Sequence, residues 1–174
     1  TIHAETFEGA WPNSWYCNGN YTASGQDITW APQTYAVHNG TRAGWPHASA
    51  FDPHDYYLLS ANAGTTMTSE MIYGPFDLSA ATDARVRFWL AYDLGANDVF
   101  AWAVSADGGN NWYGTQVAGG ISPWSEVTFD LKAVPTLGNI CGQTSVYFMF
   151  ACDSDDQATQ NEGPFIDDVV IEAY

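Results

Sequence analysis

The sequence predicts an all-β protein, a sandwich or barrel of short antiparallel strands, on three observations. Apolar and polar residues alternate with a period of two. Turn signals recur between the alternating stretches, and no stretch of ten or more residues sustains helical spacing.

Taken in chain order, the opening segment from about Ile2 to Glu8 is polar and strand-like. The stretch from Trp11 to His54, rich in Trp, Asn, Gly and Pro, reads as long loops over one end of the sandwich. In residues 85–92, Val86, Phe88, Leu90 and Tyr92 share one face. Val99–Ser105 and Trp112–Val117 flank Asp107-Gly108-Gly109-Asn110-Asn111, a β-hairpin with a tight turn at positive φ. Val127 and Phe129 alternate with Thr128 and Asp130, and Val146, Phe148 and Phe150 alternate with Tyr147, Met149 and Ala151. The last strand, Phe165 to Ile171, is apolar apart from Asp167 and Asp168. Gly74-Pro75, Gly119-Gly120 and Gly163-Pro164 punctuate the strands. With no internal repeat and no linker, residues 1–174 read as a single domain.

Apolar residues make up 46% of the chain and aromatics 16%, enough for a packed core. No apolar run is long enough to cross a bilayer. The opening residues show no signal-peptide pattern, which says nothing about compartment, since a mature secreted chain has lost its signal. Four basic residues (Arg42, Arg85, Arg87, Lys132) face 20 acidic ones, for a formal net charge of −16. Such a surface repels phosphate backbones and anionic membrane surfaces, so nucleic acid is a poor partner, and with no spanning run no membrane insertion is expected.

Several features become specific through their order. Phe7-Glu8-Gly9 opens the chain, and Phe76-Asp77-Leu78-Ser79 precedes Arg87-Phe88-Trp89-Leu90. Asp98 and Val104-Ser105-Ala106-Asp107-Gly108-Gly109 with Trp112 come next, followed by Trp124 before Val127-Thr128-Phe129-Asp130-Leu131. Val146 to Phe150, an acidic loop and Gly163-Pro164-Phe165-Ile166-Asp167-Asp168-Val169 close the series. This succession resembles the MAM-like, cleaved-adhesin and choice-of-anchor J domains, and the accessory domains of immune inhibitor A-type secreted proteases, over nearly the whole chain. The resemblance implies a jelly-roll β-sandwich of two antiparallel sheets, extracellular, secreted or at the cell surface, attached to or released from a larger protein. It also implies adhesion or glycan binding, and a structural calcium near the two ends of the chain. The proteases of that group carry His-Glu-x-x-His in a separate domain; this sequence has none, so no peptidase activity carries over.

The jelly-roll reading makes local predictions. If the first strand pairs antiparallel with the last, Glu8 lies near Asp167 and Asp168. The strand ending at Ala151 would bring Asp153, Asp155 and Asp156 to the same rim. Carboxylates converging with so few Lys or Arg must raise their pKa values or bind a cation. Oxygen ligands favour calcium, with Glu8, Asp153, Asp155, Asp167 and Asp168 as its candidates. The competing reading is a solvated acidic loop with only one Asp of the pair facing inward, since adjacent side chains on a strand point to opposite faces. Of the three cysteines, Cys141 and Cys152 flank an extended strand and would be roughly 20 Å apart. Cys17 falls at the Cys152 end, which favours a Cys17–Cys152 disulfide with Cys141 free; three reduced thiols is the alternative.

Eight tryptophans invite a carbohydrate-binding reading, because sugar rings stack on indole faces. The candidates are the loop residues Trp15, Trp30 and Trp45, with Tyr56, Tyr57 and Tyr113 behind them; core packing competes for each. His38, His47 and His54 fall near Asp52 and Asp55, in a spacing that matches no metal motif. Glu70 and Glu126 stand alone rather than as a paired-carboxylate strand, and there is no Gly-x-Ser-x-Gly, phosphate loop or dinucleotide fingerprint.

The function expected is therefore a non-catalytic binding or adhesion module for a glycan or surface protein. A subunit of an extracellular fibre or surface layer, exchanging strands between identical copies through a free edge or Thr1–Thr6, is the second reading. A glycan-active enzyme ranks last.

Overall fold

The computed structural model describes residues 1–21, 28–47, 67–154 and 161–174. They form nine strands: β1 (His3–Glu5), β2 (Trp15–Tyr21), β3 (Ala31–Gln33), β4 (Ala43–Trp45), β5 (Met67–Phe76), β6 (Ala84–Ser105), β7 (Tyr113–Asp130), β8 (Val146–Ser154) and β9 (Gly163–Ala173). No helix among them is long and apolar enough to cross a membrane.

All pairings are antiparallel and run in the order β2-β5-β8-β6-β9-β4-β3, with β1 on β9 and β7 on β6. The long β6–β7 hairpin turns this path into two layers. The second half of β6 pairs with β8, Val99 opposite Asp153 through Ser105 opposite Tyr147. Its first half pairs with β9, Ala84 opposite Ala173 through Asp93 opposite Gly163. Between the halves the register of β6 and β7 shifts at Leu94/Val99. There the buried Asp98 carboxylate accepts the Gly95 N–H at 2.9 Å, and Gly119 and Gly120 take positive φ on the partner strand.

Period two decides what lies between the layers. Val86, Phe88 and Leu90 from one half of β6, Phe100, Trp102 and Val104 from the other, and Val146, Phe148 and Phe150 from β8 are all buried. Rings from the two layers meet edge to face, Phe88 against Phe150 at 4.8 Å. The expected jelly-roll sandwich of two antiparallel sheets is the fold observed, and the Val99–Val117 hairpin forms where the sequence places it. Its turn is held by Asp107, which accepts the backbone N–H and side-chain amide of Asn111 and the Ser105 hydroxyl.

The first and last strands do pair, with His3 opposite Ile171 and Glu5 opposite Val169. The loop reading of Trp11 to His54 is corrected: its described part contributes β2, β3 and β4. β2 lies along β5 over its whole length, and β4 meets β9 at Gly44 opposite Ile166. Gly44 is required there, because a Cβ would come within 2.5 Å of the Phe7 ring, itself buried.

Candidate functional site

The outer face of the β2-β5-β8-β6-β7 layer carries side chains in register rows that cross the strands. One row runs Asn18, Glu70, Ala151, Ala101, Gln116. Beside it runs a second, Tyr16, Ile72, Met149, Ala103, Gly114. On the other side lie Thr68, Asp153 and Val99. The small residues of the central strands form a floor, and larger side chains stand at its borders. Five strands at the usual spacing span about 19 Å, so the trough is far longer than a single small ligand.

Three adjoining hollows make up this trough. The largest, about 600 Å³, is bounded by Thr68, Glu70, Trp112, Gln116, Met149 and Asp153 among others. A second, about 390 Å³, extends it past Tyr16, Trp112 and Tyr147, and a third, about 200 Å³, lies by Asn18. Glu70 borders all three. Its carboxylate accepts the Asn18 side-chain amide at 3.5 Å. Tyr16 is 65% exposed, a large apolar face on the rim. Volumes of this size, with aromatic walls and a few convergent polar groups, are typical of ligand sites.

Gly114 keeps the floor low. A Cβ there would sit 2.0 Å from the Trp102 carbonyl oxygen, so only glycine lets β7 approach β6 at this point.

The aromatic candidates from the sequence are elsewhere. Trp15, Trp30 and Trp45 are corrected to core residues, 3%, 0% and 0% exposed, with no indole face for a ligand. The Trp30 indole N–H donates to the Ser69 carbonyl at 3.1 Å, and that of Trp45 to the Glu162 carbonyl at 2.7 Å. Tyr113 packs against the main core. Tyr56 and Tyr57 lie outside the described residues. The residues missed are their immediate neighbours, Tyr16 beside Trp15 and Trp112 beside Tyr113, together with Tyr147. The signal was strand parity: with Val146, Phe148 and Phe150 inside, Tyr147 must face out.

The acidic candidates do not converge. Asp153 pairs with Val99 and Asp167 with Trp89, two widely separated points of β6 in different layers. Glu8 passes beyond the β1–β9 pairing, and its carboxylate accepts the N–H groups of Thr41 and Arg42 at 2.7 and 2.8 Å and the Thr41 hydroxyl at 2.7 Å. These bonds lower its pKa. Asp167, fully buried, accepts the N–H groups of His38 and Asn39 at 3.1 and 3.0 Å with one oxygen and that of Asp168 at 2.8 Å with the other. A bulge opposite Arg87 and Trp89, with Asp168 at φ 48°, brings the Asp168 carboxylate within 3.3 Å of His38 Nδ1. Both Asp side chains thus reach the same loop, which strict alternation would forbid.

Among the described residues no three His, Cys, Asp or Glu side chains gather as a metal site, and the oxygens of Glu8 and Asp167 are already committed to N–H groups. These residues therefore do not fit the expected calcium; Asp155 and Asp156 lie outside the described residues. Chelation by EGTA is expected to move the thermal midpoint by less than the ~2 °C that about 1 kcal/mol of ion binding adds to a domain of this size. A larger calcium-dependent rise in a differential scanning experiment would restore the ion.

The disulfide is corrected as well. Cys17 sits opposite Met71 and Cys152 opposite Ser69, so β5 runs between them. Two strand spacings are about 9.6 Å, beyond the ~7 Å that a disulfide tolerates. All three thiols are free, and burial pushes Cys17 up to about 12 and Cys152 well above the usual thiol range. Two of these histidines sit in packed surroundings: His38 stacks on Trp89 at 3.8 Å, and burial pushes the pKa of His47 down to about 3. His54 lies outside the described residues.

The architecture is a jelly-roll β-sandwich with an open trough on one outer face. No family model and no curated protein matches the chain. Solved structures share the fold. The K3 cleaved adhesin domain of Lys-gingipain from Porphyromonas gingivalis aligns with TM-score 0.61 and 17% identity over 99% of both chains. The K1 domain of the same protein aligns with TM-score 0.59 and 20% identity over 100% of this chain and 99% of that one. The carbohydrate-binding module TmCBM61, solved in complex with β-1,4-galactotriose, aligns with TM-score 0.54 and 17% identity over 92% and 88%. At these identities the likeness is one of fold.

Proposed function

We propose that this chain is a non-catalytic, extracellular binding module that holds a glycan across the outer face of the β2-β5-β8-β6-β7 layer. The observation that carries the reading is the trough itself, with Tyr16, Trp112 and Tyr147 on its walls and Asn18, Glu70, Gln116 and Asp153 as polar groups along it. Aromatic faces pack against the apolar faces of sugar rings, while carboxylate and amide groups bond their hydroxyls. The solved complex of TmCBM61 with β-1,4-galactotriose supports the reading, because a protein sharing this fold holds an oligosaccharide. An extracellular setting is supported by the fold shared with cleaved adhesin domains.

Tyr16→Ala is expected to weaken binding at least tenfold, as removal of an anchoring aromatic costs about 2 kcal/mol or more. Affinity electrophoresis in gels containing β-glucan, galactan or xylan reads the effect, with Trp45→Phe as a core control. Wild-type mobility unchanged by every polysaccharide overturns the proposal. So does release of reducing ends from a bound polymer, since two carboxylates, Glu70 and Asp153, border the same hollow.

The assembly reading has narrower support. His3–Glu5 already pair with β9, and of the strands with one unpaired edge among the described residues β7 is the longest, uncharged from Tyr113 to Ser125.

A further inference from the structure

The distribution of charge over the two layers narrows the ligand class. None of the residues lining the three hollows is Lys, Arg or His, while Glu70 and Asp153 are both on that face. Two of the four cations lie on the outer face of the other layer. Arg85 and Arg87 share the Glu172 carboxylate at 2.6 and 2.9 Å, and Arg87 also holds Glu126 at 2.9 Å. Arg42 is tied to the Glu8 backbone carbonyl, and Lys132 lies in the turn after β7. Among the described residues the trough thus holds fixed negative charge with no lining cation, in a chain of net charge −16.

We propose that the trough is selective for uncharged glycan chains and excludes those bearing carboxylate or sulfate groups, an inference that rests on the glycan-binding reading above. Neutral hydroxyls can donate to Glu70 and Asp153 without opposing charge. An anionic substituent entering the same trough meets two carboxylates, and like charges brought close at a protein surface repel.

The test compares neutral β-glucan, galactan and xylan with a carboxymethylated derivative of each, which changes charge while keeping the backbone. Wild type is expected to bind the neutral form at least about tenfold more tightly at low salt. The gap is expected to narrow by 1 M NaCl, where the screening length falls to about 3 Å. The double variant Glu70→Gln, Asp153→Asn should narrow it at low salt, with far-UV circular dichroism to confirm the fold. Equal binding of both forms at low salt, or preference for the carboxymethylated form, overturns the charge selectivity and leaves glycan binding standing. A gap that neither salt nor the double variant moves also overturns it, because the carboxylates would then not be its cause. No binding to either form overturns the glycan reading and this inference with it.

Discussion

Trp30→Ala is expected to cost about 3–5 kcal/mol of folding stability, a large part of the roughly 5–15 kcal/mol that holds a domain together. The indole is completely buried and packs 6.0 Å from the Phe100 ring and 6.1 Å from the Phe150 ring, centroid to centroid. Truncation opens a cavity at the centre of the sandwich and strips the Ser69 carbonyl of its indole donor. The neighbouring Trp11 indole donates to the Trp30 backbone carbonyl at 2.8 Å, a bond the substitution leaves intact. The loss is therefore one of packing and of one buried hydrogen bond. Urea unfolding should show a lower midpoint with an unchanged slope. A loss under ~1 kcal/mol would mean that the core collapses around the gap, and Trp30→Phe, which keeps most of the volume, should fall between the two.

Asp167→Ala is expected to cost about 2–4 kcal/mol by a different route. One carboxylate supports three backbone N–H groups, those of His38, Asn39 and Asp168, and its removal leaves them without an acceptor. Glu8 holds the same loop from its far side through Thr41 and Arg42. Loss of one anchor should loosen residues 38–42 without unfolding β9. The penalty should also depend on pH. Burial raises the Asp167 pKa, while the three N–H groups pull it down. A carboxyl whose pKa is raised in the folded chain takes up protons on folding, so its contribution grows as pH falls from the raised value to the ordinary one. The penalty is therefore smaller at pH 7 than at pH 4. Unfolding curves of both proteins at the two pH values check this; a penalty that grows with pH would reverse the assigned shift.

The parts of the fold legible in the sequence are those where information is local. The β6–β7 hairpin declares itself through alternation on both sides of an Asp-Gly-Gly turn, and its Asp107 and Asn111 bond as such a turn demands. β2 was hidden because its outward positions, Tyr16 and Asn18, alternate with Cys17 and Gly19, which give little apolar contrast. β3 and β4 have three residues each, too few to show a period. Trp15 and Tyr113 pointed to the right strands but the wrong faces, since a shift of one residue exchanges inside for outside. The acidic site was placed by topology alone. The β1–β9 pairing is present, but which layer β8 joins depends on where β6 bends, and no local pattern fixes that.

The division of β6 and β7 between the layers also bears on how quickly the protein can form. Among the described residues, only the β3–β4 and β6–β7 pairings join strands that follow one another in the chain. β1 with β9, β2 with β5, β5 with β8 and β4 with β9 all bridge long intervening segments. Such contacts must pay loop-closure entropy before they gain anything in return, which places the chain among slow folders, on the scale of milliseconds to seconds. During that interval the newly made chain keeps its strand edges exposed, and its high negative charge then serves to hold nascent molecules apart.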